Sequence, residues 1–178
     1  RMLGVQVWLN LPAKNKMVAP QYHGITQEQI PMLEEKGHKV RVLAGTYRGE
    51  TGAMQGDYIK PLILDVEISP NLAWSMETER ENTLFVYIVQ GAGFFGPSGG
   101  EVIPAKHALL FEEGSALQVK ASDIGMRFLL FAGKPLGEPI AWGGPIVMNT
   151  REELNLAFKE LEENTFVCGD ERLLKTVA

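Results

Sequence analysis

The stretch TLFVYIVQG, Thr83–Gly91, is a short apolar run that follows Asn82 and closes on a glycine. Its residues are β-branched and aromatic, and the run is too short to be a helix of ordinary length, so it reads as a strand. Similar runs flank it. KVRVLAGTY (Lys39–Tyr47) and PLILDVEIS (Pro61–Ser69) precede it, and GEVIPAKHALLFEEG (Gly100–Gly114), SALQVKA (Ser115–Ala121) and MRFLLFAG (Met126–Gly133) follow it. Gly, Pro, Asn or Asp bounds each run, and no helical pattern interrupts them. Short strands separated by turn residues predict an all-β domain, a sandwich or barrel, over Lys39–Gly133.

The two ends behave differently. Gly4–Asn10 alternates Val5, Val7 and Leu9 with Gln6, Trp8 and Asn10, the period of a half-buried strand. Its partner is not evident in the sequence. Pro12 to Lys36 carries Pro12, Pro20 and Pro31 and reads as an irregular wrap, with one short helical turn at ITQEQI, where Thr26 and Gln29 form a weak capping box. Near the other end, MNTREELNLAFKELEEN places Thr150 as N-cap and Glu153 three residues later, a full capping box. Leu154, Ala157, Phe158 and Leu161 fall on one stripe. This predicts a helix of about three turns lying on the outside of a sheet, anchored by Leu154, Phe158 and Leu161.

Composition narrows the functional classes. The 178 residues are 45% hydrophobic and 22% charged, values typical of a soluble globular domain. A net charge of −5 without a basic face argues against direct nucleic-acid binding, which draws on phosphate neutralisation. No apolar run reaches the ~18 residues of a membrane span. Cys168 is the single cysteine, which excludes an internal disulfide and fits a reducing compartment such as the cytoplasm. Three histidines and one cysteine also exclude most zinc-ligand patterns.

A barrel of this size with VYIVQG at its heart invites comparison with cupins, the double-stranded β-helix barrels. There, two histidines precede a Glu-x6-Gly strand, and a later motif adds a third histidine, together holding a metal with open positions. Taking Gly91 as the motif glycine puts Leu84 at the glutamate position and sets the histidine positions near Glu77 and Glu79. Two acids can bind a hard metal, but Leu84 leaves too few ligands, and Glu77 and Glu79 read as an exposed loop. His107, in the strand-like IPAKHALLF, lies near the second motif without a companion, and His23 and His38 also lack an i+2 or i+4 partner. GPSGG around Ser98 reads as a hairpin turn because it lacks the strand–turn–helix context of a nucleophile elbow. GAGFFG (Gly91–Gly96) has the wrong spacing for a dinucleotide fingerprint and leads into no helix. Cys168 has no neighbouring His or Lys to activate it. The residues alone therefore assign no catalytic, cofactor-binding or metal-ligating position.

Two stretches carry a family resemblance. GVQVWLNLPAKNKMVAPQY (Gly4–Tyr22) and FAGKPLGEPIAWGGPIVMNTREEL (Phe131–Leu154) closely resemble segments of the pirin family, which has two cupins per chain. The spacing between them, through VRVLAG and FVYIVQG, is also pirin-like. The resemblance runs from Val5 to about Phe166 and departs at Ile146, where many members carry Phe.

It implies three regions. Residues 1–36 would be the last strand of an N-terminal cupin plus an interdomain wrap, 37–140 the C-terminal cupin barrel, and 141–178 a helix and tail. In the family, iron is held by three histidines and a glutamate of the N-terminal cupin, so the resemblance implies no cofactor in this chain and iron upstream of it. Two activities are implied, flavonol cleavage of the quercetin 2,3-dioxygenase type, and redox-sensitive partnership with a transcription factor or metabolic enzyme. A third reading, a free-standing cupin binding a small ligand, sits poorly with the unpaired first strand and the long wrap. The residues 4–11 are expected to lie outside this chain's own barrel, either pairing with a second molecule or staying unordered.

Overall fold

The computed structural model describes residues 4–96 and 100–167. The GPSGG turn with Ser98, and Cys168, lie outside the described residues wholly or in part. Contacts divide the chain into a sheet unit, Ile25–Pro135, and a second unit formed by the residues before and after it.

The sheet unit begins inside the stretch expected to be irregular. Gln27–Gln29 forms one 3₁₀ turn, with the Gln29 side chain accepting from Thr26 N–H at 2.8 Å. Strand β1 (Met32–Glu35) then pairs with β2 (His38–Ala44) across Lys36 and Gly37, whose φ angles are 49° and 85°. Two left-handed residues in a two-residue loop match the right-handed twist of the flanking strands. Strand β1 thus corrects the reading of the wrap, whose last four residues before the loop are paired. A second loop of the same kind, Arg48–Gly49, joins β3 (Thr46–Tyr47) to β4 (Glu50–Thr51).

Strands β5 (Leu62–Ile68), β6 (Ala73–Glu77), β7 (Thr83–Phe95), β8 (Ile103–Pro104), β9 (Ala108–Leu110) and β10 (Ala116–Gly133) complete the sheet. The order is β1-β2-β5-β10-β7-β8, with β6 on the first half of β10 and β9 on β7, and every ladder is antiparallel. The fold is all-β of the expected class, but the hydrogen-bonded path does not close on itself. SALQVKA and MRFLLFAG are one 18-residue strand, because Ser122–Gly125 is accommodated as a bulge where the register with β7 jumps from Ala121–Gly93 to Met126–Gly91.

Alternation selects the core. Val40 and Val42, Leu64, Val66 and Ile68, Leu84, Val86 and Ile88, and Phe128 and Leu130 are buried, each set two residues apart on its strand. Aromatic rings run through this interior. Tyr47 lies 6.2 Å from Trp74, Trp74 5.7 Å from Phe128, Phe128 6.2 Å from Phe95, and Phe95 5.8 Å from Phe111, measured between centroids.

In the second unit, β11 (Ala141–Gly143) pairs with β12 (Ile146–Met148) and helix α1 (Arg151–Glu162) follows. The capping box is present, with Glu153 N–H donating to Thr150 Oγ1 and Thr150 N–H donating to Glu153 Oε2, both at 3.1 Å. Leu154 and Ala157 are buried against Ile146 and Met148, and Phe158 is half-buried, its ring tight over Gly143. Leu161 is 46% exposed and joins no buried cluster among the described residues, because strands of three residues are too short to cover three helical turns. Leu154→Ala is therefore expected to cost about 2–5 kcal/mol, and Leu161→Ala less than about 0.5. Chemical denaturation of the two variants checks the contrast.

Residues 4–10 form no strand, and Val5, Val7 and Leu9 are exposed. The pattern is right for a strand, but a ladder needs a partner, and no described strand supplies one. Among the described residues no helix is long and apolar enough to cross a membrane.

Candidate functional site

The interior of the sheet unit is the first place to look for chemistry. Strand β6 turns Trp74 and Met76 inward, and alternation therefore sends Glu77 outward, where it is exposed opposite Ala116. Glu79 is exposed in the turn that follows. Leu84 is buried in the apolar core. His107 does not lie in a strand, as its segment suggested. It sits exposed just after the turn at Ala105–Lys106, where Lys106 has φ 69°, and its Nδ1 is 3.1 Å from the Pro104 carbonyl and 3.3 Å from that of Ala105. Two backbone carbonyls beside one ring nitrogen fit a satisfied surface histidine. His38 opens β2, half-buried with its Nδ1 unpartnered among the described residues, and exposed His23 faces Gln21. Among the described residues no three His, Cys, Asp or Glu side chains come together to hold a metal. An iron site needs several imidazole and carboxylate donors converging, and these residues do not fit one.

Two polar clusters escaped sequence reasoning. On the outward face of the sheet, Asp65 is 5% exposed and accepts from Arg127 Nε at 2.8 Å and Nη2 at 2.7 Å, with Arg41 Nη1 at 3.4 Å. The hydrogen bond to Asp65 raises Arg127 above its already high pKa. The only sequence signal was an aspartate in the middle of an apolar strand.

The second cluster ties the start of the described chain to its end. Glu138 Oε2 accepts from Ala13 N–H at 2.7 Å and from Asn149 Nδ2 at 3.2 Å, while Glu153 Oε2 accepts from the N–H groups of Asn149 and Thr150 at 2.9 and 3.1 Å. Beside them Lys16 Nζ donates to Asn10 Oδ1 at 2.5 Å. Burial pulls Lys16 below the usual lysine pKa, and the nearby charges of Glu138 and Glu153 offset part of that shift. The residues of this cluster come from the two stretches that carry the family resemblance, with 125 positions between Ala13 and Glu138.

Comparison with known proteins gives a consistent picture. Residues 63–167 match the Pirin C-terminal cupin domain. A Thermoplasma acidophilum protein named as a candidate quercetin 2,3-dioxygenase is 36% identical over 172 residues, covering 92% of this chain and 65% of its own length. Pirin of Homo sapiens is 35% identical over 156 residues, covering 86% of this chain and 53% of its own. Among solved structures, quercetin 2,3-dioxygenase from Acinetobacter baumannii superposes with a TM-score of 0.80 at 30% identity, over 89% of this chain and 55% of that one. The chain thus spans between half and two-thirds of the length of these relatives.

Proposed function

The chain belongs to the pirin family, and from that premise we propose that it is the metal-free C-terminal cupin of a two-cupin protein whose upstream half binds iron. In this reading residues 4–10 supply the last strand of the upstream cupin, residues 11–36 include the connection, and the sheet unit is the second barrel. Its role is regulatory, a redox-linked interaction surface for a protein partner such as a transcription factor or metabolic enzyme.

One observation carries the reading: Tyr47, Trp74 and Phe128, with Phe95 and Phe111 packed against them, occupy the interior of the sheet unit, while the polar candidates Glu77, Glu79 and His107 are exposed. A core of tilted and edge-to-face rings offers a divalent ion no donors to replace its water. An alternative keeps the same architecture and makes the whole protein a flavonol-cleaving dioxygenase, with the chemistry in the upstream cupin. The names of the archaeal relative and of the Acinetobacter structure favour it.

Metal analysis tests the reading. The 178-residue chain, purified from iron-supplemented cells, is expected to hold well under a tenth of an equivalent of iron and to leave quercetin unchanged. A longer polypeptide carrying the upstream cupin should hold about one metal per chain. One equivalent of iron in the short chain, lost in His107→Ala, would place the active site here and overturn the proposal. Quercetin turnover by the longer protein alone would select the enzymatic alternative.

A further inference from the structure

We propose that the cavity beside Lys16 is a binding site for a small planar aromatic monoanion, a carboxylate or phenolate. The cavity has a volume of about 380 Å³ and is walled by Trp8, Asn10, Lys16, Ile146, Met148 and Phe166 among others. That volume lies within the range of ordinary small-molecule sites, which are mostly apolar with a few placed polar groups.

Charge decides the class of ligand. Among the described residues Lys16 is the single ionisable wall of the cavity, and no carboxylate lines it. The two acids nearest in effect, Glu138 and Glu153, already serve the N–H groups of Ala13, Asn149 and Thr150, and neither forms an ion pair with Lys16 among the described residues. The half-buried ammonium has given up water for one hydrogen bond, to the neutral Asn10 carboxamide. An ammonium has three donors, so two remain for a ligand oxygen. A bound anion would gain charge-assisted hydrogen bonds in a partly water-excluded place. A second negative charge would find no second cation among the described walls.

Shape decides the rest. The Trp8 indole is 59% exposed, and Trp8 and Phe166 both line the cavity. Flat apolar faces of this kind reward a flat aromatic body over a flexible aliphatic one. The smaller neighbouring cavity, about 180 Å³, also touches Lys16 but is walled by Glu153 and Glu160, which repel an anion. The ligand's charged end therefore approaches Lys16 from the Trp8 side.

The test uses the whole chain with 2-naphthoate and its neutral isostere 2-naphthamide, titrated by calorimetry and by quenching of tryptophan fluorescence. The acid is expected to bind at least about tenfold more tightly than the amide. Lys16→Met should remove that preference and leave amide binding unchanged, Lys16→Arg should retain it, and Trp8→Leu should weaken both ligands. Equal affinity for acid and amide, a preference that survives Lys16→Met, or no binding at millimolar concentration overturns the proposal. The acid-to-amide ratio on the unaltered protein decides the matter even if Lys16→Met does not fold. Iron content and naphthoate affinity are separate measurements, so the failure of this inference and that of the family reading are distinguishable.

Discussion

Gly91→Ala is expected to lower the stability of the sheet unit by about 2–5 kcal/mol. Gly91 has φ 75°, a left-handed conformation that costs an L-residue about 1–2 kcal/mol. The more severe problem is space. A Cβ on Gly91 would stand 2.1 Å from the Gly125 carbonyl oxygen and 2.9 Å from the Met126 Cα. Both are backbone atoms of β10, the strand paired with β7, so no side-chain rotation can relieve the contact. Either the strands separate where their register changes, or the ladder on both sides slips. Overpacking of this kind typically costs a further 1–3 kcal/mol or so. For a chain of this length each kcal/mol lowers the melting temperature by about 2–4 °C, so a loss of at least ~4 °C and up to ~20 °C is expected. Gly49→Ala provides the control. Gly49 has φ 86° with nothing within 4 Å of its Cβ position, so only the conformational part applies. Equal losses for the two variants would mean that the β7–β10 crossing yields easily, contrary to this account.

The same crossing explains why the sheet was legible in outline but not in detail. Runs such as Leu62–Ile68 and Thr83–Gly91 carry enough apolar side chains to be read as strands. Ser122–Gly125 resembles a turn because Ser, Asp and Gly stand together, and only pairing with β7 on both sides shows it to be a bulge inside one strand. Strand β6 was missed because Ala73–Glu77 turns just two large apolar residues inward, Trp74 and Met76, within a polar stretch. Strand β1 was hidden by Pro31 and by Glu34 and Glu35, which suit an exposed edge better than a core strand. Residues 4–10 carry a strand pattern, and no described strand of this chain pairs with them.

Sites followed a different logic. The sequence puts Leu84 at the acid position of the cupin pattern, and the fold buries that side chain in the apolar core. The Lys16 cluster could not be read, because Asn10, Lys16, Glu138 and Glu153 are brought together only by tertiary structure. No local pattern encodes such a contact. The resemblance drew attention to both stretches without saying that they meet.

Replacing Arg127 by Met should have an effect comparable to the glycine substitution, and burial rather than distance is the reason. The Asp65 side chain is 7% exposed, and Arg127 grips both its oxygens at 2.7 and 2.8 Å. Without Arg127 that carboxylate keeps only Arg41, at 3.4 Å. Breaking a buried pair costs about 3–5 kcal/mol because a desolvated charge is left behind. The Arg127 side chain is itself 40% exposed, and water entering the vacated space softens the penalty to about 2–3 kcal/mol. Lys134 and Glu81 make the useful comparison, since they approach to 2.9 Å but both are 75% exposed. Lys134→Met should change stability by less than about 0.5 kcal/mol. Pairing Arg127→Met with Asp65→Leu removes both charges, and an apolar replacement of a buried pair is often nearly neutral. The double variant should recover at least about 1 kcal/mol relative to the sum of the single losses. Denaturant titrations of the four proteins give this coupling directly. If Arg127→Met costs no more than Lys134→Met, Asp65 is reached by water in solution and the outer face of the sheet is looser than its geometry implies.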